Sequence, residues 1–136
     1  MTLQGLNFWA ILAVWVIEMV IGSIWNSPLG FQKFWLRQTG IDITKLPTAQ
    51  SNRAMLGVTI GTLIQVLVLA VLLNAMGVTS VMTAIGVACL LWIGFAASSS
   101  IGPTLFAKQS WTFLAVNTGL YLILYIVGAI ILTVWH

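Results

Sequence analysis

The sequence predicts an all-α integral membrane protein: four transmembrane helices, with a short amphipathic interfacial helix after the first span. Three observations carry this prediction. The 136 residues are 60% hydrophobic and only 5% charged, whereas a soluble domain of this size must cover its surface with polar groups. The apolar residues fall in four runs, about 6–25, 55–76, 80–102 and 111–135, each close to the roughly 20 residues that cross a bilayer core as a helix. Every Lys and Arg lies in or beside two connections. Lys33, Arg37, Lys45 and Arg53 stand between the first and second runs, and Lys108 between the third and fourth. Alternating crossings bring these connections to one face, which the positive-inside rule makes cytoplasmic. The expectation is a single transmembrane domain over 1–136 with both termini outside the cytoplasm.

The first run is read as a retained span, not a cleaved signal peptide. No Lys or Arg precedes it, Glu18 interrupts it, and no small-x-small cleavage site follows. After it, Ser27 suits an N-cap, Pro28 the first helical position, and Gly40 a left-handed stop. Phe31, Phe34 and Trp35 follow helical spacing, as do Lys33 and Arg37. Residues 28–39 therefore predict an amphipathic helix in the cytoplasmic interface. Residues 41–52 predict a polar loop, with Pro47 opposing helix and Asp42 and Lys45 a solvated pair. The second span starts near Arg53.

Gly57 and Gly61 put a shallow groove on one face of the second span. Ala84 and Ala88, and Gly94 and Ser98, repeat that separation in the third, and Gly119 and Gly128 lie in the fourth. Small residues at such spacing let helix backbones approach. Close packing within the protomer is the expectation, with subunit contact as the alternative. The one cysteine, Cys89, has no disulfide partner in the chain and is expected to be a small buried residue. Trp9, Trp25, Trp35, Trp111 and Trp135 fall near span ends, where amphipathic rings favour the headgroup region. Trp15 and Trp92 lie deeper and are expected to pack.

Glu18 is the only acidic residue within a span. An ionised carboxylate there costs several kcal/mol unless it is paired, hydrated or protonated, so it is a functional candidate. The helical wheel puts Asn7, Ile11, Trp15, Gly22 and Trp25 on its face. Counted from the cytoplasmic end of each span at 1.5 Å per residue, Glu18 lies roughly 11 Å deep, Asn117 roughly 9 Å and Gln65 roughly 15 Å. Ser98, Ser99 and Ser100 lie near the same end of the third span. These residues form first of all a hydrogen-bonded cluster that fastens the bundle, and otherwise a candidate pathway for a proton, ion or solute, with a lipid-facing, snorkelling Glu18 as the third reading. Recognised catalytic sets are missing: the one His is His136, and there is no Cys/His metal cluster, phosphate-cradling loop or second intramembrane carboxylate. The sequence therefore suggests no enzyme, cofactor or metal.

The stretch from Trp25 to Trp35 resembles the signature after the first span of a bacterial membrane family, the domain of unknown function 1761 family, which reads W-Y-S-P-x-x-F-G-K-x-W. Trp25, Ser27, Pro28, Phe31, Lys33 and Trp35 match. Asn26 replaces the Tyr, Gln32 replaces the Gly, and Glu18 lies outside the motif. The final span, with Trp111, Phe113, Asn117, Gly119 and Gly128, also resembles the family's end, with Tyr121 where a His is expected. The resemblance implies a four-span fold in the bacterial inner membrane; the family's activity is unassigned.

Partners follow from the same features. Five basic residues beside spans suit lipid headgroups, not nucleic acid. Four short spans enclose little volume, so a homo-oligomer is expected. Two functions stand open: an oligomeric channel or transporter for an ion or small polar solute, with Glu18 on its path, and a non-catalytic scaffold or accessory subunit. The scaffold would bind a membrane protein or lipid partner through Phe31, Phe34 and Trp35.

Overall fold

The computed structural model describes residues 5–135. Its elements are α1 (Phe8–Trp25), α2 (Gln32–Thr39), a 3-10 turn (Ile43–Lys45), α3 (Thr48–Ala75), α4 (Val81–Leu91), a π-helical segment (Trp92–Ala97), α5 (Ser98–Phe106) and α6 (Trp111–Val134). Four helices are long and apolar enough to span a membrane: α1, α3, the continuous run Val81–Phe106, and α6. The predicted class is the observed one. Gln109 Nε2 donates to the Gln38 carbonyl at 2.9 Å, which joins the two Lys/Arg-bearing connections at what is here called the basic end.

Local chemistry moves several boundaries. The Asn7 side chain caps α1, accepting from the N–H groups of Trp9 and Ala10 at 3.1 and 3.2 Å, so its oxygen serves the helix end. Ser27 does not cap a helix beginning at Pro28. The Phe31 N–H reaches back to the Trp25 carbonyl at 2.7 Å, and the Gly30 N–H bonds Ser27 O at 2.9 Å. This turn closes α1, so α2 starts only at Gln32. Gly30 makes the turn possible: a Cβ there would overlap the Trp25 carbonyl oxygen and stand 2.7 Å from that of Ile24. Gly40 ends α2 in the left-handed region, φ 73°, as expected. The predicted loop stops at Pro47, and α3 runs from Thr48. Proline lacks a donor that the first helical turn would leave unused anyway, so here it starts a helix and does not block one.

The third span widens into π geometry at Trp92–Ala97 and continues to Phe106, beyond the predicted end at 102. The serine run after it is tied to its own helix. Ser98 and Ser100 hydroxyls donate to the carbonyls of Gly94 and Ala96 at 2.6 and 2.7 Å, and Ser99 donates to Phe95.

α6 is the hub, packed against α1, α3 and α4. The core sits mainly in the half away from the basic end. Leu69, Leu73, Ala84, Val87, Ala88 and Ala129 form one cluster; Ile11, Val14, Val66 and Ala70 form the other. Ala84, Ala88 and Ala129 are wholly enclosed, the close approach that small residues were expected to allow. Gly57, Gly61 and Gly94 differ: a Cβ at any of them meets nothing within 4 Å. Close packing within the protomer is therefore not their role. Cys89 is exposed, which corrects the expectation of burial. Its neighbours Val87 and Ala88 take the inward positions, and one further step of about 100° turns Cys89 outward. The deep tryptophans join spans. Trp15 Nε1 donates to Thr59 O at 3.1 Å and Trp92 Nε1 to Thr118 O at 2.8 Å.

Candidate functional site

Ile11, Val14 and Glu18 are buried on α1 at spacings of three and four residues, so the stripe that packs the core also carries the carboxyl inward. Glu18 is only 3% exposed. Its space comes from α6: a Cβ on Gly128 would stand 3.0 Å from Glu18 Oε1 and 3.3 Å from Leu69 Cδ2 and Val14 Cγ1. No hydrogen bond or ion pair joins the carboxyl to another described residue. A buried acid without partners costs stability unless something else meets it.

That acid lines a cleft of about 400 Å³ between α1, α3, α6 and the connection after α1. On α3 the lining runs from Ser51 to Thr62, eleven steps along the helix, or roughly 16 Å. Gln32 and Trp35 of α2 flank the Ser51 end, which is the basic end. Met19, Val58, Leu120 and Leu124 make much of the wall apolar. Ser23 and Asn26 spend their donors on the carbonyls of Met19 and Gly22 at 2.8 and 3.0 Å. The side chains of Gln32, Ser51, Thr62 and Tyr121 make no hydrogen bond to a described residue. No Lys or Arg lines the cleft. A second cleft, about 210 Å³, opens at the other end beside Asn7, Ile11, Ala70 and Leu73. Val14, Val66 and Leu69, buried in the core, line neither cleft.

The other sequence candidates are not gathered around Glu18. Asn117 lies eleven residues before Gly128 on α6, roughly 16 Å from the carboxyl's level. It is exposed and shares a cleft with Ser99, Ser100 and Thr39 at the basic end. Ser98 is exposed beside them in sequence and bonded to its own helix. Gln65 is half-buried on α3, without a hydrogen bond to a described residue, and lines none of these clefts. The depth count fails because the helices do not begin at one height. The Trp25 ring ends 3.8 Å from a Cβ on Gly119, so α1 stops level with a residue eight positions, roughly 12 Å, into α6. Gly128 is the neighbour the sequence did not assign to Glu18, and Thr62 and Tyr121 share its cleft. Gly128 was visible as a small residue of the fourth span, but its register with Glu18 was not.

The motif after α1 builds the wall below. Trp25 and Phe31 rings meet at a 45° tilt with 4.6 Å between centroids, and Phe31 meets Phe34 edge-on at 6.5 Å. Trp25, Phe31 and Trp35 line a pocket with Asn117 and Tyr121. Lys33 and Pro28 are exposed. Beyond α2, Asp42 accepts from the Thr44 hydroxyl at 2.6 Å and the Thr44 N–H at 3.0 Å. These two bonds hold its carboxyl below the usual carboxylate range, with Lys45 at 4.0 Å adding little.

No curated protein and no solved structure matches the chain. A family model described as a protein of unknown function, DUF1761, matches residues 9–133. That range starts at the second residue of α1 and ends one residue short of the last of α6, taking in the aromatic turn, Glu18 and Gly128 alike. The chain belongs to the DUF1761 family, whose function is unknown.

Proposed function

We propose that the protein is a small inner-membrane transporter for a cation or small polar solute, with the basic end facing the cytoplasm and Glu18 as its binding group. One observation carries the reading: a carboxyl 3% exposed, without a hydrogen-bond partner among described residues, set in a cleft that reaches the basic end. A group so placed is expensive to keep for packing alone. The absence of Lys and Arg from the lining favours a positive or neutral cargo. Two clefts at opposite ends, with Val14, Val66 and Leu69 packed in the core between their walls, favour alternating access over an open channel. The scaffold reading has less support, because Phe31 is engaged by the rings of Trp25 and Phe34, and Trp35 lines the protein's own clefts.

Assembly belongs to the same proposal. Gly57 and Gly61 face open space on α3, which suits contact with a second copy. Leucine at either position should shift the mass distribution in nanodiscs toward smaller species; a wild type that is monomeric there would end the oligomer part. For transport, flux is measured in proteoliposomes across a panel of ions and small amines. Glu18→Gln, which keeps the shape and loses the charge, should abolish it. Flux no higher than in empty liposomes, or unchanged in Glu18→Gln, would sink the transport reading.

A further inference from the structure

We infer that the Glu18 cleft takes an amphipathic organic cation: one ammonium group on a compact apolar body. The inference rests on the transport reading and names its ligand class. Consider first what a bare inorganic cation requires. Hard metal ions take six or more oxygens in their shell. The inner end offers one carboxyl, and no group of three or more His, Cys, Asp or Glu stands together among the described residues. The unengaged side-chain oxygens that share the lining with it are those of Thr62 and Tyr121 and, toward the basic end, Gln32 and Ser51, all of them neutral.

An ammonium on an apolar body suits every part of the lining. Its N–H groups need few acceptors, and a carboxylate with one or two hydroxyls suffices. Its carbon body would lie against Met19, Val58, Leu120 and Leu124, which offer a monatomic ion nothing. Trp35 and Tyr121 add aromatic faces, which attract cations. A volume of about 400 Å³ lies in the range of small-molecule sites. The polar groups near the basic end, Gln32 and Ser51, allow approach from water. The ammonium of a lipid headgroup has the same charge chemistry, but the apolar wall adjoins the acid in a space too small for a two-chain lipid. A free amine is the source the geometry favours.

The test uses the full chain in phosphatidylglycerol nanodiscs, which carry no amine headgroup. Thermal unfolding is followed against hexylammonium, hexanol and sodium ions. Hexylammonium should raise the midpoint in a saturable way; hexanol and sodium should not. Glu18→Gln should weaken the apparent affinity about tenfold or more. Gly22→Leu should weaken it too. Gly22 lines the cleft, and a Cβ there meets nothing within 4 Å, so the new side chain fills the ligand's space without a clash at its root. Equal stabilisation by hexanol, or stabilisation that survives Glu18→Gln, would overturn the inference. A Glu18-dependent response to sodium but not to hexylammonium would overturn the ligand class and leave the transport reading standing. A response seen only when phosphatidylethanolamine is added would assign the ammonium to the lipid and overturn the free amine. No response to any cation would remove both.

Discussion

The two halves of this bundle handle small residues in opposite ways. Away from the basic end, Ala84, Ala88, Gly128 and Ala129 let helices close on one another, and the core is tight. Toward the basic end, Gly22 lines the cleft, while Gly57 and Gly61 lie outside its lining and face open space on α3. The same residue type at similar spacing thus marks a contact in one place and an open face in another. A small residue permits close approach without causing it. What decides is whether a neighbouring helix stands against that face, and at Gly57 and Gly61 none does, although α1 passes their level where Trp15 bonds Thr59.

The largest test of this contrast is one substitution made in both halves. Gly128→Leu must displace Glu18, Leu69 and Val14 from a site where even a Cβ is tight. It should destabilise the protomer by about 1–3 kcal/mol or more, read as unfolding in mixed micelles. Gly57→Leu should change protomer stability by no more than about 0.5 kcal/mol, since it meets nothing within the protomer. Similar losses at both sites would break the comparison.

Next is the turn that stands in for packing at the basic end. Gly30→Ala would push a methyl into the carbonyls ending α1 and should cost about 1–3 kcal/mol through forced backbone strain. It should also expose residues 26–31 to proteolysis while the distal core stays folded. Unchanged protection of that segment would show that the turn is not what holds α2 in place.

The interspan indole bonds should matter less. Trp15→Phe and Trp92→Phe each lose one N–H donated to another span's carbonyl, worth about 0.5–1 kcal/mol. A loss of several kcal/mol from either would mean that the ring's volume, not its donor, joins the spans.

Smallest is the Asp42 cap. Its bonds from Thr44 stabilise the ionised carboxylate, so the folded group titrates below its unfolded value. Their contribution is fully present near neutral pH and is lost as pH falls through the folded midpoint. Thr44→Val removes the hydroxyl and should move the Asp42 midpoint upward in an NMR titration. An unmoved midpoint would assign the shift to the backbone N–H.

Much of the fold was legible because apolar runs and basic connections report directly on a bilayer. Four spans and the stop at Gly40 needed only composition and local rules, whereas the same rules read the aromatic turn as a helix from Pro28. Glu18 stood out for the same reason, as a lone acid in an apolar run. Its surroundings did not, because they depend on register between helices. Counting depth along each span assumes a common starting plane, and the meeting of Trp25 with Gly119 shows that α1 and α6 share none. Residues near Pro47 and Pro28 were misjudged in a related way. Proline marks a discontinuity, but which side of it is helical depends on what the preceding turn packs against. The π-helical segment at Trp92–Ala97 left no distinctive pattern in the sequence.

The unequal spans also act on the surrounding lipid. α1 has 18 residues and α3 has 28, roughly 27 and 42 Å of helix against a hydrocarbon thickness of about 30 Å. The apolar part of α3, 55–76, is roughly 33 Å and its polar start, 48–53, reaches the headgroups, whereas α1 falls slightly short of the core. Beside α1 the bilayer must thin by a few ångströms. Each copy therefore carries a dimple on one flank, and two copies that share a dimple deform less lipid than two apart. That elastic gain depends on membrane thickness, so longer acyl chains should deepen the mismatch beside α1 and change how the copies gather.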